Sequence, residues 1–240
     1  MSADANSILG HLRTVDAERR RRSGASELAA HARAVKAYQQ RRFSHTYEDL
    51  LATTRYGPAA RFFLDELYGP DDFSERDAQF ARVVPALVRL FPQQIVATVD
   101  TLVHLHALSE TLDSAMGAHL AGSRVEAVDY VRAWQATGRR DDRERQITLT
   151  LAVGQSLDRV TRNPLLRHSL RMMRGPAQAA GLGELQRFLE TGFDTFKAMG
   201  GAREFLAAIG TRERALARAL FGASIEREGH LSDTALGQLP

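Results

Sequence analysis

The stretch FFLDELYGPDDFSERD, Phe62 to Asp77, decides the fold class of this chain. Ala60, Phe63, Leu64, Leu67 and Tyr68 fall on one face at the i, i+3, i+4, i+7, i+8 spacing of an α-helix. Ala59 and Phe62 widen that face, so the helix is expected to be buried on more than one side. Pro58 suits the first turn, where a backbone N–H has no intrahelical acceptor to lose. Gly69 can take the left-handed conformation that ends a helix, and Pro70 cannot continue one. Ser74 followed three residues on by Asp77 has the spacing of a capping box for a second helix. Burial of Phe62 and Phe63 is expected to contribute about 1.5–3 kcal/mol each. The segment reads as a helical corner of the core. A second reading places Asp65, Glu66, Asp71, Asp72, Arg76 and Asp77 around a site; an ion pair of Arg76 with Asp65 or Asp72 is the structural alternative.

Outward from the corner the apolar period stays helical. Residues 1–42 form an N-terminal arm. Ile8, Leu9 and Leu12 start a helix that runs into Arg19–Arg22, Ser23-Gly24 breaks it, and a second helix spans 26–40 with Leu28, Ala32, Val35 and Tyr38. Thr46 and Asp49 predict a capped short helix through Leu51. The corner helix spans 58–68 and the next 75–91, with a kink expected at Pro85. Pro92 opens the longest helix, 93–120, whose stripe is Val96, Val99, Val103, His106 and Met116; at 1.5 Å per residue it is about 40 Å long. Helices follow at 123–136, 141–161, 163–173, 177–198 and 202–222, punctuated by Gly175-Pro176 and Gly200-Gly201. Ile147–Val153 alternates like a strand, but Ile147, Leu151, Gly154, Leu157 and Val160 keep helical spacing, so it is read as helix. Residues 223–240 carry no strong pattern and are read as a flexible tail. The prediction is an all-α, single-domain bundle of roughly ten helices, with a basic helical arm (1–42), a main domain (43–222) and a long central helix.

The corner also carries a resemblance. FFLDELY closely resembles the signature of the bacterial FFLEELY-motif proteins, with Asp65 where the name has Glu; the swap keeps the carboxylate and shortens it by one methylene. The motif residues are Phe62, Phe63, Asp65, Glu66, Tyr68, Gly69, Pro70, Asp72, Arg76 and Asp77. Thr46–Leu51, Arg76–Pro92, Ala107–Asp113 and Phe188–Ile209 look similar to the same family, so the resemblance spans most of residues 43–210. It implies a helical fold and a bacterial source, and it brings no activity, substrate or catalytic residue.

With 240 residues, the chain can bury one substantial core or two small ones. Its 44% apolar and 25% charged content is that of an ordinary globular protein. Cysteine is absent, which excludes disulfides, thiolate nucleophiles and Cys-bound zinc or iron–sulfur clusters. No apolar run reaches the roughly 18–20 residues of a membrane span, and the first residues lack a signal-peptide core, so a cytoplasmic location is expected. The net charge is +3, but residues 1–42 set nine Arg and Lys against four Asp and Glu, which makes the arm net +5 and the most polar, least core-like region before the tail. Only Lys36 and Lys197 are lysines; an arginine-rich surface of this kind is expected to be laced with bidentate ion pairs.

The long helix carries the candidate chemistry. Asp100–His104 and His106–Glu110 are i, i+4 pairs, so each shares a face. Such pairs are how helical bundles hold two iron or manganese ions, although the usual Glu-x-x-His spacing is absent. The pairs point about 200° apart, so one pair would need carboxylates from another helix, such as Asp65, Glu66 or Asp77. The alternative is one buried hydrogen-bonded pair and one solvated pair. His106 on an apolar stripe also offers an axial ligand to haem, against the plainer reading of a satisfied core histidine.

Arg19–Arg22 reads as a solvated helix end favoured by the C-terminal dipole, or as a weak contact for an acidic partner; nucleic acid is not an expected partner. Arg139–Arg145 alternates in sign and reads as a solvated face. Nucleophile elbows, phosphate loops, dinucleotide fingerprints and His-Glu-x-x-His are missing. Phe188, Leu189, Phe193, Phe196, Met199, Phe205, Leu206 and Ile209 read as helix packing or as the lining of an apolar pocket. Three functions follow as expectations. The first is a non-enzymatic binding or adaptor protein using the arm for a protein partner or a homodimer. The second is a cofactor-dependent enzyme or sensor, di-metal or haem, using the Asp/His pairs. The third is a carrier of an apolar ligand.

Overall fold

The computed structural model describes residues 4–66, 73–224, 236–237 and 239–240, and among them it holds twelve α-helices and no strand. In chain order they are α1 (Ala5–Ser23), α2 (Ser26–Thr46), α3 (Glu48–Leu51), α4 (Gly57–Glu66), α5 (Ser74–Leu90), α6 (Gln93–Gly117), α7 (Ala127–Thr137), α8 (Arg140–Val160), α9 (Pro164–Met172), α10 (Arg174–Ala179), α11 (Gly183–Ala198) and α12 (Arg203–Gly222). The predicted all-α bundle is the fold. α6 is its axis, about 38 Å long for its 25 residues, with α1, α2, α5, α7 and α8 packed around it. Val96, Val103, Leu105, Ala107, Leu108, Leu112 and Met116 are buried on several of its sides, as expected of a helix that is apolar around most of its circumference.

The expectation of an arm apart from the core is corrected by the packing. Ile8 and Leu12 of α1 are buried in one cluster with Val84, Val96 and Val103. Val35 and Tyr38 of α2 belong to another with Tyr130, Trp134, Leu216 and Leu220. A narrow apolar stripe is enough to seat each helix, while the charged outer faces make the arm look unlike core when its composition is averaged. Gly117 brings α2 close to α6: a Cβ there would stand 2.9 Å from the Ala32 backbone nitrogen.

The corner helix α4 supplies Ala59, Ala60, Phe63 and Leu64 to a third cluster, with Phe196, Met199, Phe205 and Ile209. Phe62 is stacked on Phe188 at 5.4 Å and lies over Gly192, where a Cβ would meet its ring at 2.9 Å. The stop assigned to Gly69-Pro70, with Leu67, Tyr68, Asp71 and Asp72, lies outside the described residues. Both predicted capping boxes are corrected. α5 begins at Ser74 after Phe73, with no side-chain cap, and α3 follows Tyr47 in the same way. The Asp77 and Asp49 carboxylates are drawn to His106 and Arg19, and to Arg212, by charge-assisted bonds stronger than a cap.

α5 runs through Pro85, and Ile147–Val153 is helical within α8. Gly175-Pro176 does not break the chain; it falls in the first turn of α10, which Pro tolerates. The reversal comes at Gly181, φ +67°, where Leu182 N–H donates to the Ala177 carbonyl at 2.8 Å, the bond of a glycine-terminated helix. In the tail, Leu236 is buried in the α2–α7–α12 cluster, and residues 225–235 and 238 lie outside the described ones. No described helix is long and apolar enough to cross a membrane.

Candidate anion-binding site

Near its middle α6 meets the second half of α1, part of α2 and the start of α5. There it presents His106, Glu110, Asp113 and Ser114, and each has a partner from a neighbouring helix. Glu110 is 3% exposed and takes Arg22 on one carboxylate oxygen and Lys36 on the other. Burial pushes its carboxyl up, but Lys36 and Arg22 outweigh burial and bring it down to about 2. Arg22 also donates to Ser114 Oγ at 2.9 Å. Asp77 Oδ2 accepts from Arg19 Nη2 at 2.7 Å and lies 2.8 Å from His106 Nε2, which ties α1, α5 and α6 together. Burial raises the Asp77 carboxyl, and the His106 and Arg19 interactions more than reverse it, leaving it below the ordinary range. Asp113 accepts from Gln39 Nε2 at 3.1 Å, and its burial raises it instead.

Above this seam a cleft of about 460 Å³ opens between α1 and α2, with Glu110 in its lining and Ser74 at its edge. Arg19, Arg20 and Arg22 come from α1, Arg33 and Lys36 from α2; the carboxylates are Asp16 and Glu110. Arg20 is paired with Asp16 on the surface. Arg33 is exposed and has no carboxylate partner among the described residues. Asp77 and His106 border a second space, an apolar cavity of about 90 Å³ lined by Phe80, Leu102, Phe188 and Leu189 among others. The Arg19–Asp77–His106 contact links the two.

The two pairs on the long helix meet different neighbours. Asp100 accepts from Ser7 Oγ at 2.7 Å and lies 3.9 Å from His11 Nε2. The His104 ring is stacked on His11 with centroids 4.4 Å apart and 7° between planes; burial first, and His11 second, push the His104 pKa down. His106 and Glu110 face the cationic seam instead. Among the described residues no group of three or more His, Asp or Glu is arranged to hold a metal ion. Haem gains no support at His106: one ring nitrogen is engaged by Asp77, and the adjoining cavity falls far below the roughly 300–1,000 Å³ of a cofactor pocket.

Of the motif residues, Phe62 and Phe63 are core and Asp65 is exposed. Glu66 is bonded by Arg187 at 2.7 Å and lies 3.5 Å from Arg76; among the described residues it is Glu66 rather than Asp65 that pairs with Arg76, and Asp72 lies outside them. Arg76 is sandwiched over the Phe73 and Phe188 rings at 4.1 and 4.5 Å. Arg139–Arg145 is largely the solvated face expected, with Arg139 bonded to Asp142 and Glu144 to Arg214. Arg143 is the exception, 4% exposed. Its signal was its phase: it sits four residues before Ile147 and seven before Thr150, on the buried face of α8. The pairing of Arg22 and Lys36 across Glu110 had no signal in sequence, since the partners are 88 and 74 residues apart.

Residues 18–226 match a family model described as "Domain of unknown function (DUF8198)". No curated protein and no solved structure matches the chain.

Proposed function

The chain belongs to the DUF8198 family, and we propose from the α1–α2 cleft that it is a non-catalytic binding protein for a small polyanion. The family description carries no activity, and neither does the resemblance of Phe62–Asp77 to the FFLEELY-motif proteins, so the reading rests on geometry. The observation that carries it is the excess of five cations over two carboxylates around one open cleft. Guanidinium groups recognise phosphate and carboxylate in planar, bidentate fashion. Arg19 is paired with Asp77 and Arg20 with Asp16, while Glu110 holds two cations, Arg22 and Lys36, so the charge left over in the cleft comes from Arg33 and from the second cation on Glu110. The adaptor reading based on a free arm loses its main support, because the apolar stripes of α1 and α2 are spent inside the molecule.

Titration calorimetry with inorganic pyrophosphate tests the proposal. Binding is expected, and it is expected to weaken with added salt as exposed charges are screened. Arg33→Ala should weaken it roughly ten- to a hundredfold, the equivalent of one charge-assisted bond at about 1.5–3 kcal/mol. Folding should change by no more than about 0.5 kcal/mol, because Arg33 is exposed. Absence of binding at millimolar pyrophosphate, or an unchanged affinity in Arg33→Ala, would overturn the reading.

A second reading is favoured by the cavity beside His106, whose Phe80, Leu102, Phe188 and Leu189 walls suit a small apolar guest. Leu102→Trp would fill it and should abolish the uptake of a small aromatic probe while leaving pyrophosphate binding intact.

A further inference from the structure

A small chamber of about 40 Å³ lies between α2, α7, α8 and α12, away from the cleft. Its walls include Arg42, Tyr130, Trp134 and Arg143, each more than nine-tenths buried. The lining is mostly apolar, with Phe43, Phe63, Ile147 and Leu220 among it and Glu213 as its carboxylate, and some of its polar donors have no acceptor. Arg42 is paired with Glu213, but its Nε is buried without a partner, and so is Trp134 Nε1. Arg143 is the larger anomaly. Its guanidinium donates to Gln146 Oε1 at 3.0 Å and meets Met116 Sδ at 2.9 Å, a weak acceptor. It stacks over Trp134 at 4.0 Å. It makes no ion pair within 4.0 Å among the described residues. Asp113, the buried carboxyl that acts on it, is bonded by Gln39 and stands beyond that distance.

Buried charges are as a rule paired, because taking an ion out of water is expensive. A cation–π contact compensates only part of that. An unpaired buried guanidinium with two orphan N–H groups lining the same chamber therefore calls for an anion. The volume has room for about three water-sized groups.

We propose that this chamber binds a small monovalent anion, of the size of chloride or formate, held by Arg143 together with the N–H groups of Arg42 and Trp134. The site is independent of the cleft: it uses none of its residues and takes a smaller, singly charged ligand. Its occupant completes the core rather than docking from the surface.

Trp134 is the sole tryptophan, so the chamber carries its own reporter. The test is a titration of the full chain with sodium chloride and with sodium formate, balanced by sodium gluconate to constant ionic strength, reading Trp134 emission and melting temperature. A saturable emission change and a saturable rise in melting temperature are expected from both salts. Arg143→Met keeps an apolar chain over Trp134 and removes the charge. It should abolish both responses, and it should be more stable than the parent in gluconate but not in chloride. Trp134→Phe, followed by melting temperature alone, should shift the chloride midpoint several-fold upward; this variant keeps the test open if Arg143→Met fails to fold. Responses that are the same for chloride, formate and gluconate would overturn the proposal, as would a saturable chloride response retained in Arg143→Met. Water alone in the chamber predicts the first of these outcomes.

Discussion

At the residue scale, Glu110 shows how a buried charge is made tolerable. Both of its oxygens are occupied, by Arg22 and Lys36, and neither cation has another carboxylate so close. Glu110→Gln would leave two cations facing a neutral group. Urea unfolding at pH 7 is expected to show a loss of about 3 kcal/mol, the low end for breaking a buried pair, because Arg22 and Lys36 reach the cleft. The same residue sets an acid limit. Its carboxyl titrates at about 2 in the folded chain against an ordinary 4.5, so the unfolded chain takes up the proton first as pH falls. The contribution, on the order of 3 kcal/mol, is fully present above pH 4.5 and is lost progressively toward pH 2. Asp77 is depressed too and loses its contribution in the same direction. Unfolding measured from pH 6 to pH 3 should therefore show the gap between the parent chain and Glu110→Gln narrowing below pH 4.5; a constant gap would contradict the pairing.

At the element scale, helices approach as closely as their smallest residues allow. Gly117 faces the Ala32 backbone, which cannot move aside as a side chain can. Gly117→Ala is expected to destabilise by about 1–3 kcal/mol through overpacking, despite the better helix propensity of alanine. Gly175 is a contrast: it is helical and has nothing within 4 Å of a built Cβ. Gly175→Ala meets no crowding from other helices and gains helix propensity, but its Cβ stands against the ring of Pro176, so a change within about 1 kcal/mol in either direction is expected. Thermal melts of the two variants side by side give the comparison. The helices were legible because their apolar spacing is a local property. The capping boxes were misread because Asp77 and Asp49 have stronger partners elsewhere in the chain, Asp49 in Arg212 at 2.6 Å. The break at Gly175-Pro176 was misplaced for a related reason: a proline halts a helix only past its first turn, and α10 starts at Arg174.

At the scale of the whole molecule, α6 organises the fold, and the helices around it carry the charges that meet on it. α1 is one of those walls. Removal of residues 1–42 is expected to unfold the remainder, since it uncovers Val84, Val96 and Val103 and leaves Glu110 and Asp77 without their cations. Far-ultraviolet circular dichroism and a urea melt of the shortened chain are the check, and a cooperative native-like transition would restore the arm as a separate unit. By itself the sequence determined the all-helical class, the apolar face of the helix that carries Phe62 and Phe63, the long central helix and the exclusion of cysteine chemistry. These rest on the spacing of side chains within a few turns and on residue types alone. Tertiary structure decided that Arg22 and Lys36 share Glu110, that Asp77 bridges Arg19 and His106, and that Arg143 is buried without a carboxylate partner among the described residues. Those relations join residues that are mostly tens of positions apart. No local period records which helix will face which; the folded chain settles it by burying its apolar stripes first and leaving the charges between them to find partners.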